Sequence, residues 1–260
     1  MPDLIRLEYR DVTMRFAQSA GPLTAVSGVN IAVRDGEVVS LIGPSGCGKS
    51  TLLNIGSGLT APSEGQAFVD GERVEGPNAH VAFMLQKDLL LPWRTVVENV
   101  MFGVEIQGVA AAERRRRAQA LLESLKLAEF SGHYPHQLSG GMRQRVALAR
   151  TLAVDPTVLL LDEPFSAVDA QTRMVLQREL AQTLKRSGKT ALLITHDLME
   201  AVTLSDRVLV MSRRPGRIID EITIDVPDRD DPLKRRTHPA ITGYVNRLMD
   251  RLDIAAPVPA

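Results

Sequence analysis

The strongest constraint on this chain is the sequence VVSLIGPSGCGKST at residues 38–51. Its first five residues form a short apolar run that predicts a buried strand, and the residues from Thr51 onward predict a helix. Between them lies the pattern Gly-x4-Gly-Lys-Ser, which is typical of a phosphate site in this strand-loop-helix context. Glycines let backbone N–H groups approach phosphate oxygens, and the N-terminus of the helix adds unpaired donors and partial positive charge.

We name residues 43–51 the phosphate loop. Its members expected to bind the nucleotide are Gly43, Pro44, Ser45, Gly46, Cys47, Gly48, Lys49, Ser50 and Thr51. Lys49 is expected to reach the β- and γ-phosphates, and the Ser50 hydroxyl to ligate Mg²⁺. A glycine-rich turn with only a structural role is the alternative, but the pattern in this context seldom arises by chance. The loop therefore predicts binding of a nucleoside triphosphate, and Cys47 within it predicts that thiol alkylation blocks hydrolysis unless ATP protects.

Composition limits the class of protein. The 260 residues suffice for one large α/β domain or one and a half. Lys+Arg and Asp+Glu both number 31, so the net charge favours neither nucleic acid nor an anionic membrane surface. The single cysteine excludes an internal disulfide and suits a reducing compartment. Because we find no signal-peptide pattern and no apolar run near the ~20 residues of a membrane span, we expect a cytosolic protein.

Three later apolar runs predict buried strands of a parallel sheet, because they are continuous rather than alternating. Polar residues follow each run: Gln86 after the first, Asp162 and Glu163 after the second, and His196 after the third. The carboxyl ends of parallel strands meet at one edge of the sheet, where such sheets bind ligands. The pattern therefore predicts that these side chains share a site with the phosphate loop.

Each of these polar residues has a chemical role that fits its side chain. Asp162 is expected to hold Mg²⁺, and Glu163 to polarise the water that attacks the γ-phosphate. The Gln86 amide could contact Mg²⁺ or that water, and His196 could sense the γ-phosphate. A glutamine or histidine at the end of a strand is more often structural, so these two assignments depend on the other motifs.

Two further features have competing interpretations. Phe16, upstream of the phosphate loop in sequence, is equally consistent with an aromatic platform for adenine and with a core residue at a strand end. Ser139, Gly140 and Gly141 precede a helix predicted over residues 142–153, and could either cradle an anion or merely cap that helix. Two carboxylates follow about twenty residues later, and this spacing favours the anion site.

An arginine run at residues 114–117 invites a nucleic-acid interpretation. The run lies in an Ala/Leu-rich helix predicted over residues 109–127, with Glu123 and Glu129 as acidic counterparts. We therefore predict a solvated helix face.

In their order along the chain, these motifs resemble those of ATP-binding-cassette ATPases. The resemblance rests on Phe16, the phosphate loop, Gln86, LSGGM at 138–142, VLLLDEP at 158–164, Ser166-Ala167-Val168-Asp169 and His196. It covers about residues 4–220, with Met142 a departure from the commonest signature, which has Gln there. It implies an α/β fold: a P-loop NTPase core with a mainly parallel sheet, an N-terminal antiparallel β-subdomain and an inserted α-helical subdomain.

The resemblance also implies a domain organisation. An ABC ATPase domain would span residues 1–220, with its core at 1–86 and 155–220 and the helical signature subdomain at 87–154. Residues 221–260 would form a tail without an assigned role, which we expect to be irregular with a short terminal helix.

The activity implied is hydrolysis of ATP to ADP and phosphate, coupled to transport and dependent on Mg²⁺. Lys49, Gln86, Glu163 and His196 would be catalytic, and Ser50, Gln86 and Asp162 would ligate the metal. The chain has one phosphate loop and one Ser-Gly-Gly, and cassettes of this family use the two on opposite sides of the same ATP. The resemblance therefore implies a head-to-tail dimer, a homodimer in the simplest case, in which residues 139–141 complete the partner's site.

The remaining partners follow from the same resemblance. A separate membrane permease would dock beside residues 87–97, where Leu89, Leu90, Leu91 and Trp93 form an apolar cluster; packing within the helical subdomain is an equally good alternative for each. A periplasmic or extracellular solute-binding protein would act indirectly, and the chain would lie peripherally on the cytoplasmic face of the plasma membrane. No nucleic-acid partner is expected.

Finer similarity extends to importer ATPases for nitrate, sulfonates and taurine, through Leu91-Pro92-Trp93, Met142 and RPGRI at residues 214–218. A soluble cassette acting on DNA or ribosomes would favour a second cassette or a basic insertion. A P-loop kinase or GTPase leaves LSGGM unexplained, and we find no Asn-Lys-x-Asp motif for guanine. An exporter subunit is the alternative within transport, although exporters more often carry fused membrane helices.

Overall fold

The computed structural model describes residues 4–19, 21–166 and 168–252, so Ala167 of the predicted Ser166–Asp169 motif lies outside the described residues. The strands are β1 (Ile5–Phe16), β2 (Leu23–Arg34), β3 (Val38–Ile42), β4 (Glu64–Val69), β5 (Glu72–Arg73), β6 (Val81–Met84), β7 (Val158–Asp162), β8 (Thr190–Ile194), β9 (Arg207–Met211) and β10 (Ile218–Thr223). The helices are α1 (Lys49–Gly56), α2 (Val96–Ile106), α3 (Ala111–Ser124), α4 (Gly140–Ala153), α5 (Ala170–Ser187), α6 (Leu198–Leu204), α7 (Pro232–Arg236) and α8 (Ile241–Arg251). None of the helices in these ranges is both long and apolar enough to cross a membrane.

The central sheet has six strands in the order β10-β9-β3-β8-β7-β6. All neighbours run parallel except β10, which pairs antiparallel with β9 at the edge. Every residue of β3, β7, β8 and β9 is buried, which explains why these strands are apolar on both faces. The order places the carboxyl ends of β3, β8, β7 and β6 side by side, so the loops that follow them share one edge.

A second, antiparallel sheet in the order β2-β1-β4-β5 covers one face of the central sheet together with α1. Tyr9 of β1 anchors it, because its buried hydroxyl donates to the Leu52 carbonyl oxygen of α1 at 2.8 Å. Helices α2–α5 pack on the other face. The α/β fold with an N-terminal antiparallel sheet and an inserted helical region is therefore confirmed.

The arginine run lies on α3, as predicted, but its acidic partner is different. Arg116 and Arg117 both pair with Glu113, at 2.7 Å each. These pairs have the i,i+3 and i,i+4 spacing that brings helical side chains together. Among the described residues Glu123 and Glu129 form no ion pair, so their assignment as counterparts was wrong.

The predicted tail is wrong in part: it includes a short helix, α8, as expected, but residues up to 252 fold onto the central sheet instead of forming an irregular segment. The predicted boundary at 220 falls inside β10, and Ile222, Ile241 and Leu248 share a core with Val202 and Val208. Apolar residues at the i, i+3, i+4, i+7 spacing give α8 its buried face. The division into domains itself stays a prediction, and residues 253–260 of the tail lie outside the described part of the chain.

Candidate active site

The phosphate loop connects β3 to α1, as its sequence predicts. Gly48 is the N-cap of α1, with φ +105°, and a Cβ at this position would overlap the Val26 side chain. Only glycine fits such a conformation and approach. The first N–H groups of α1 have no intrahelical acceptor, and no acidic side chain occupies the first turn. The loop and helix therefore present backbone donors suited to an anion.

A cavity of about 360 Å³ opens beside this loop. It is lined by Phe16, Leu23, Ala25, Ser45, Gly46, Gly48, Lys49, Ser50, Thr51, Glu163, Ile194 and Arg214. Apolar side chains and phosphate-binding groups thus line one space, as a nucleotide requires. Phe16 is 40% exposed within it, which favours the aromatic platform over the core residue.

Lys49 is buried against the loop that it serves. Its Nζ donates to the carbonyl oxygens of Gly43 at 2.7 Å and Pro44 at 3.1 Å. An ammonium group has three donors, so these contacts hold the side chain in place without exhausting its capacity. The cation is therefore positioned within the loop rather than extended into solvent.

Cys47 differs from the expectation. Its side chain is buried in the core beneath the loop, with Sγ 3.9 Å from Lys49 Nζ, and it does not line the cavity. Its backbone N–H donates to the Pro44 carbonyl oxygen at 3.3 Å. A thiol reagent has no access to this sulfur, so the predicted alkylation and its protection by ATP are withdrawn, and only the Cys47 backbone could contact a nucleotide.

The side chains that follow β6, β7 and β8 meet at Glu163. Gln86 Nε2 donates to Glu163 Oε2 at 2.9 Å, and His196 Nδ1 lies 3.3 Å from the same oxygen. The Glu163 N–H donates to the Ile194 carbonyl oxygen at 2.9 Å, and its φ of +46° lies in the left-handed region. Non-glycine residues seldom adopt this conformation, and those that do cluster at functional sites.

Asp162 ends β7 and is almost fully buried. Burial raises the pKa of the Asp162 carboxyl above its usual value, although a hydrogen bond from the Ser50 hydroxyl acts in the opposite direction. The neighbouring Glu163 carboxylate raises this pKa further, and Lys49 lowers it. A buried carboxylate in this state is stabilised by an added cation.

Ser139, Gly140 and Gly141 are not at the cavity. Ser139 is the N-cap of α4, and its Oγ accepts from the Met142 N–H at 3.3 Å. None of the three lines the space beside the phosphate loop. The motif therefore caps a helix, as one interpretation predicted, and its role as an anion site stays a prediction.

Arg214 is the cavity residue that sequence reasoning missed. Its Nε and Nη2 donate to the Gly46 carbonyl oxygen at 3.0 and 2.7 Å. In the sequence, this arginine stands out only as part of RPGRI, the segment similar to importer ATPases. No local pattern could assign it, because the contact joins residues 168 positions apart.

Comparison with known proteins agrees with this geometry. The family model described as ABC transporter matches residues 26–166. The chain is 45% identical over 226 residues to the taurine import ATP-binding protein TauB of Burkholderia pseudomallei, covering 87% of each chain. It is 44% identical over 234 residues to the nitrate import ATP-binding protein NrtD of Synechocystis sp., covering 90% of this chain and 88% of the relative.

The fold agrees as well. A dimeric ATP-binding cassette solved in a post-hydrolysis state with ADP and Pi matches with a TM-score of 0.76 and 32% identity, over 85% of this chain and 99% of its own. Sequence, fold and the side chains gathered at the phosphate loop thus lead to one conclusion: the chain belongs to the ABC transporter family, as an ATP-binding cassette that hydrolyses ATP.

Proposed function

We propose that this chain is the ATPase subunit that energises import of a small anion, of the nitrate, sulfonate or taurine type, through a separate membrane permease. The observation that carries the proposal is the similarity, over nearly the whole chain, to ATP-binding proteins named for taurine import and nitrate import. The solute itself would be bound by other subunits, so this chain supplies the energy of ATP hydrolysis and does not select the solute.

The side chains around Glu163 have complementary roles in hydrolysis. Glu163 polarises the attacking water. Gln86 and His196 hold the Glu163 carboxylate in place and respond to the γ-phosphate. Lys49 and the backbone donors of the phosphate loop neutralise charge on the phosphates. Positioning and charge stabilisation supply most of the rate in phosphoryl transfer, so little covalent chemistry is needed from the protein.

Mg²⁺ fits the donors beside the phosphate loop. Ser50 and Asp162 lie close together and offer a hydroxyl and a carboxylate oxygen, and the Gln86 amide oxygen is a third candidate. In the described residues there is no group of three or more His, Cys, Asp or Glu side chains for a metal. The ion would take its other ligands from nucleotide phosphates and water, and would help to neutralise the phosphate charge.

The position of Ser139–Gly141 supports a dimer. These residues lie away from the cavity of their own chain, so a second copy would present them to the γ-phosphate. The solved cassettes similar to this chain are described as dimeric. A closed twofold arrangement gives two equal sites, and ATP bound at each joins the two chains.

A permease would dock on the segment after Gln86. Leu89 and Trp93 are 55% and 71% exposed, while Leu90 is buried in the core. The predicted apolar cluster is therefore divided: Leu90 packs internally, and Leu89 and Trp93 form a surface, which we name the docking face. Exposed large apolar side chains of this kind suit a protein partner.

Helix α4 connects this docking face to the catalytic side chains. Arg150 donates to the carbonyl oxygens of Asp88 at 2.6 Å and Leu89 at 2.8 Å. On the same helix, Gln144 Nε2 donates to the Pro164 carbonyl oxygen at 2.6 Å, next to Glu163. Because α4 also begins at Ser139, movement of this helix would couple the permease, the second copy of the chain and the active site. The chain would thus act at the cytoplasmic face of the membrane, held there by the permease.

The test is recovery of partners from native membranes with tagged Glu163→Gln protein in the presence of ATP. We expect a polytopic membrane protein to copurify. A matched variant that adds Leu89→Ser and Trp93→Ser should bind ATP normally but lose this partner. Recovery of ribosomes or DNA, or of no membrane protein, would contradict the proposal and favour a soluble cassette.

A further inference from the structure

The connection between β9 and β10 is hydrogen-bonded to β2 and packs against the phosphate loop. The Gly216 N–H donates to the Ala25 carbonyl oxygen at 2.9 Å, and the Gly216 carbonyl oxygen accepts from the Ser27 N–H at 3.0 Å. A Cβ at Gly216 would overlap the Cys47 carbonyl oxygen of the phosphate loop. The backbone here is therefore held between β2 and the loop, and it places the side chain of Arg214 on a fixed support.

Arg214 lies at the cavity wall with its charge available. Two of its N–H groups donate to the Gly46 carbonyl oxygen at 3.0 and 2.7 Å, and the side chain is exposed. A guanidinium carries five N–H donors, so this contact orients the group and leaves others for a ligand. Within the described residues no carboxylate forms an ion pair with it.

We propose that Arg214 is a nucleotide-binding residue that contacts the phosphates common to ADP and ATP. The guanidinium is a planar fork that matches phosphate oxygens better than any other side chain. It shares the cavity with Lys49 and so supplies a second cation for a polyanionic ligand. It forms no hydrogen bond or ion pair with Glu163, Gln86 or His196, so we assign it to binding and not to the chemical step.

This assignment predicts a specific kinetic signature. An interaction made equally with ATP in the ground state and in the transition state changes KM and leaves kcat unaltered. Loss of Arg214 should therefore weaken ADP and ATP to the same degree. A residue that only braced the loop would not require a positive charge, and its replacement would lower the stability of the nucleotide-free protein.

The experiment compares Arg214→Met, Arg214→Lys and the control Arg217→Met in the full-length protein. Arg217 belongs to the same connection, but it donates to the Ser27 Oγ at 3.3 Å and does not line the cavity. Titrations with ADP and ATP give the Kd, steady-state assays give kcat and KM, and thermal melting without nucleotide gives stability. The inference holds whichever solute is transported.

We expect Arg214→Met to raise the Kd of ADP and ATP and the KM by roughly 10–100-fold, the loss of a charge-assisted hydrogen bond or two. Its kcat should stay within about twofold, and Arg214→Lys should recover part of the affinity because it retains the charge. Unchanged affinity in Arg214→Met, an equal loss in Arg217→Met, or no rescue by lysine would each overturn the proposal. If Arg214→Met melts early, the KM of Arg214→Lys decides the question. It should exceed the wild-type value while kcat is unchanged, and a wild-type KM would overturn the proposal.

Discussion

Glu200 provides a prediction that links burial to pH. It lies on the first turn of α6, four residues after His196 in sequence, and is only 3% exposed. Gln177 Nε2 donates to its Oε2 at 2.9 Å, and the Asp197 carboxylate accepts from its backbone N–H at 3.0 Å. Burial raises the pKa of the Glu200 carboxyl to about 7, and hydrogen bonds from Thr195 and Gln177 only partly oppose this rise.

The sign of the stability effect follows from proton binding. In the unfolded chain this carboxyl loses its proton near pH 4.5, whereas in the folded protein it keeps the proton up to about pH 7. Between these values the folded state binds more protons, so the free energy of unfolding falls as the pH rises and becomes constant above the folded pKa. The difference between the two pKa values corresponds to about 3 kcal/mol.

Glu200→Gln should remove this dependence, since the amide does not ionise and its oxygen can accept the same bond from Gln177. We expect the variant to be more stable than the wild type by up to about 3 kcal/mol at pH 8, and by much less at pH 5. Urea unfolding followed by circular dichroism at both pH values measures the difference. Glu72→Gln, at an exposed position on β5, is the matched control.

An equal effect of Glu200→Gln at pH 5 and pH 8 would show that the Glu200 pKa is not raised in the folded protein. So would a loss of stability that grows with pH, because it would mean that the ionised carboxylate is favoured in the folded state.

Three further substitutions test other contacts of the described residues. Lys49→Ala should weaken ATP binding by roughly 10–100-fold in an equilibrium titration, because a charge-assisted contact is lost; unchanged binding would contradict the role of the loop. Asp162→Asn should raise the melting temperature without nucleotide, since the buried charge is removed, yet lower Mg²⁺-dependent hydrolysis by more than about 100-fold; wild-type turnover would exclude Asp162 as a ligand. Arg235→Met should cost about 3–5 kcal/mol in urea unfolding, because the buried guanidinium donates to the carbonyl oxygens of Thr203, Ser205 and Val226; a loss below about 1 kcal/mol would show that these bonds contribute little to stability.

The features of the site that could be predicted from the sequence are those that neighbouring residues along the chain determine. The strand β3, the phosphate loop and α1 follow one another without interruption, so pattern and context suffice. Glu163 and His196 end apolar runs, and parallel strands bring such ends to one edge whatever the loops between them do. These assignments needed no knowledge of distant contacts.

The features of the site that could not be predicted from the sequence depend on tertiary packing. Arg214 reaches Gly46 only because the β9–β10 connection crosses the phosphate loop. Leu90 and Leu89 are neighbours in sequence with the same character, yet one is buried and the other exposed. For Cys47, membership of the loop did not reveal which way its side chain points. The helix α8 is a different case: a short terminal helix was predicted, but its periodic apolar residues, which indicate packing against the core, were overlooked.

We propose that two copies of this chain complete each ATP site. Glu163→Gln should lower turnover by roughly 10²–10⁴-fold and still bind ATP, so the bound nucleotide would hold the two copies together. We would measure its mass by sedimentation with and without ATP, beside a control that adds Ser139→Arg at the start of α4. We expect twice the monomer mass with ATP for Glu163→Gln alone, and a monomer for the control. A monomer in both, at ATP concentrations that saturate binding, would contradict it.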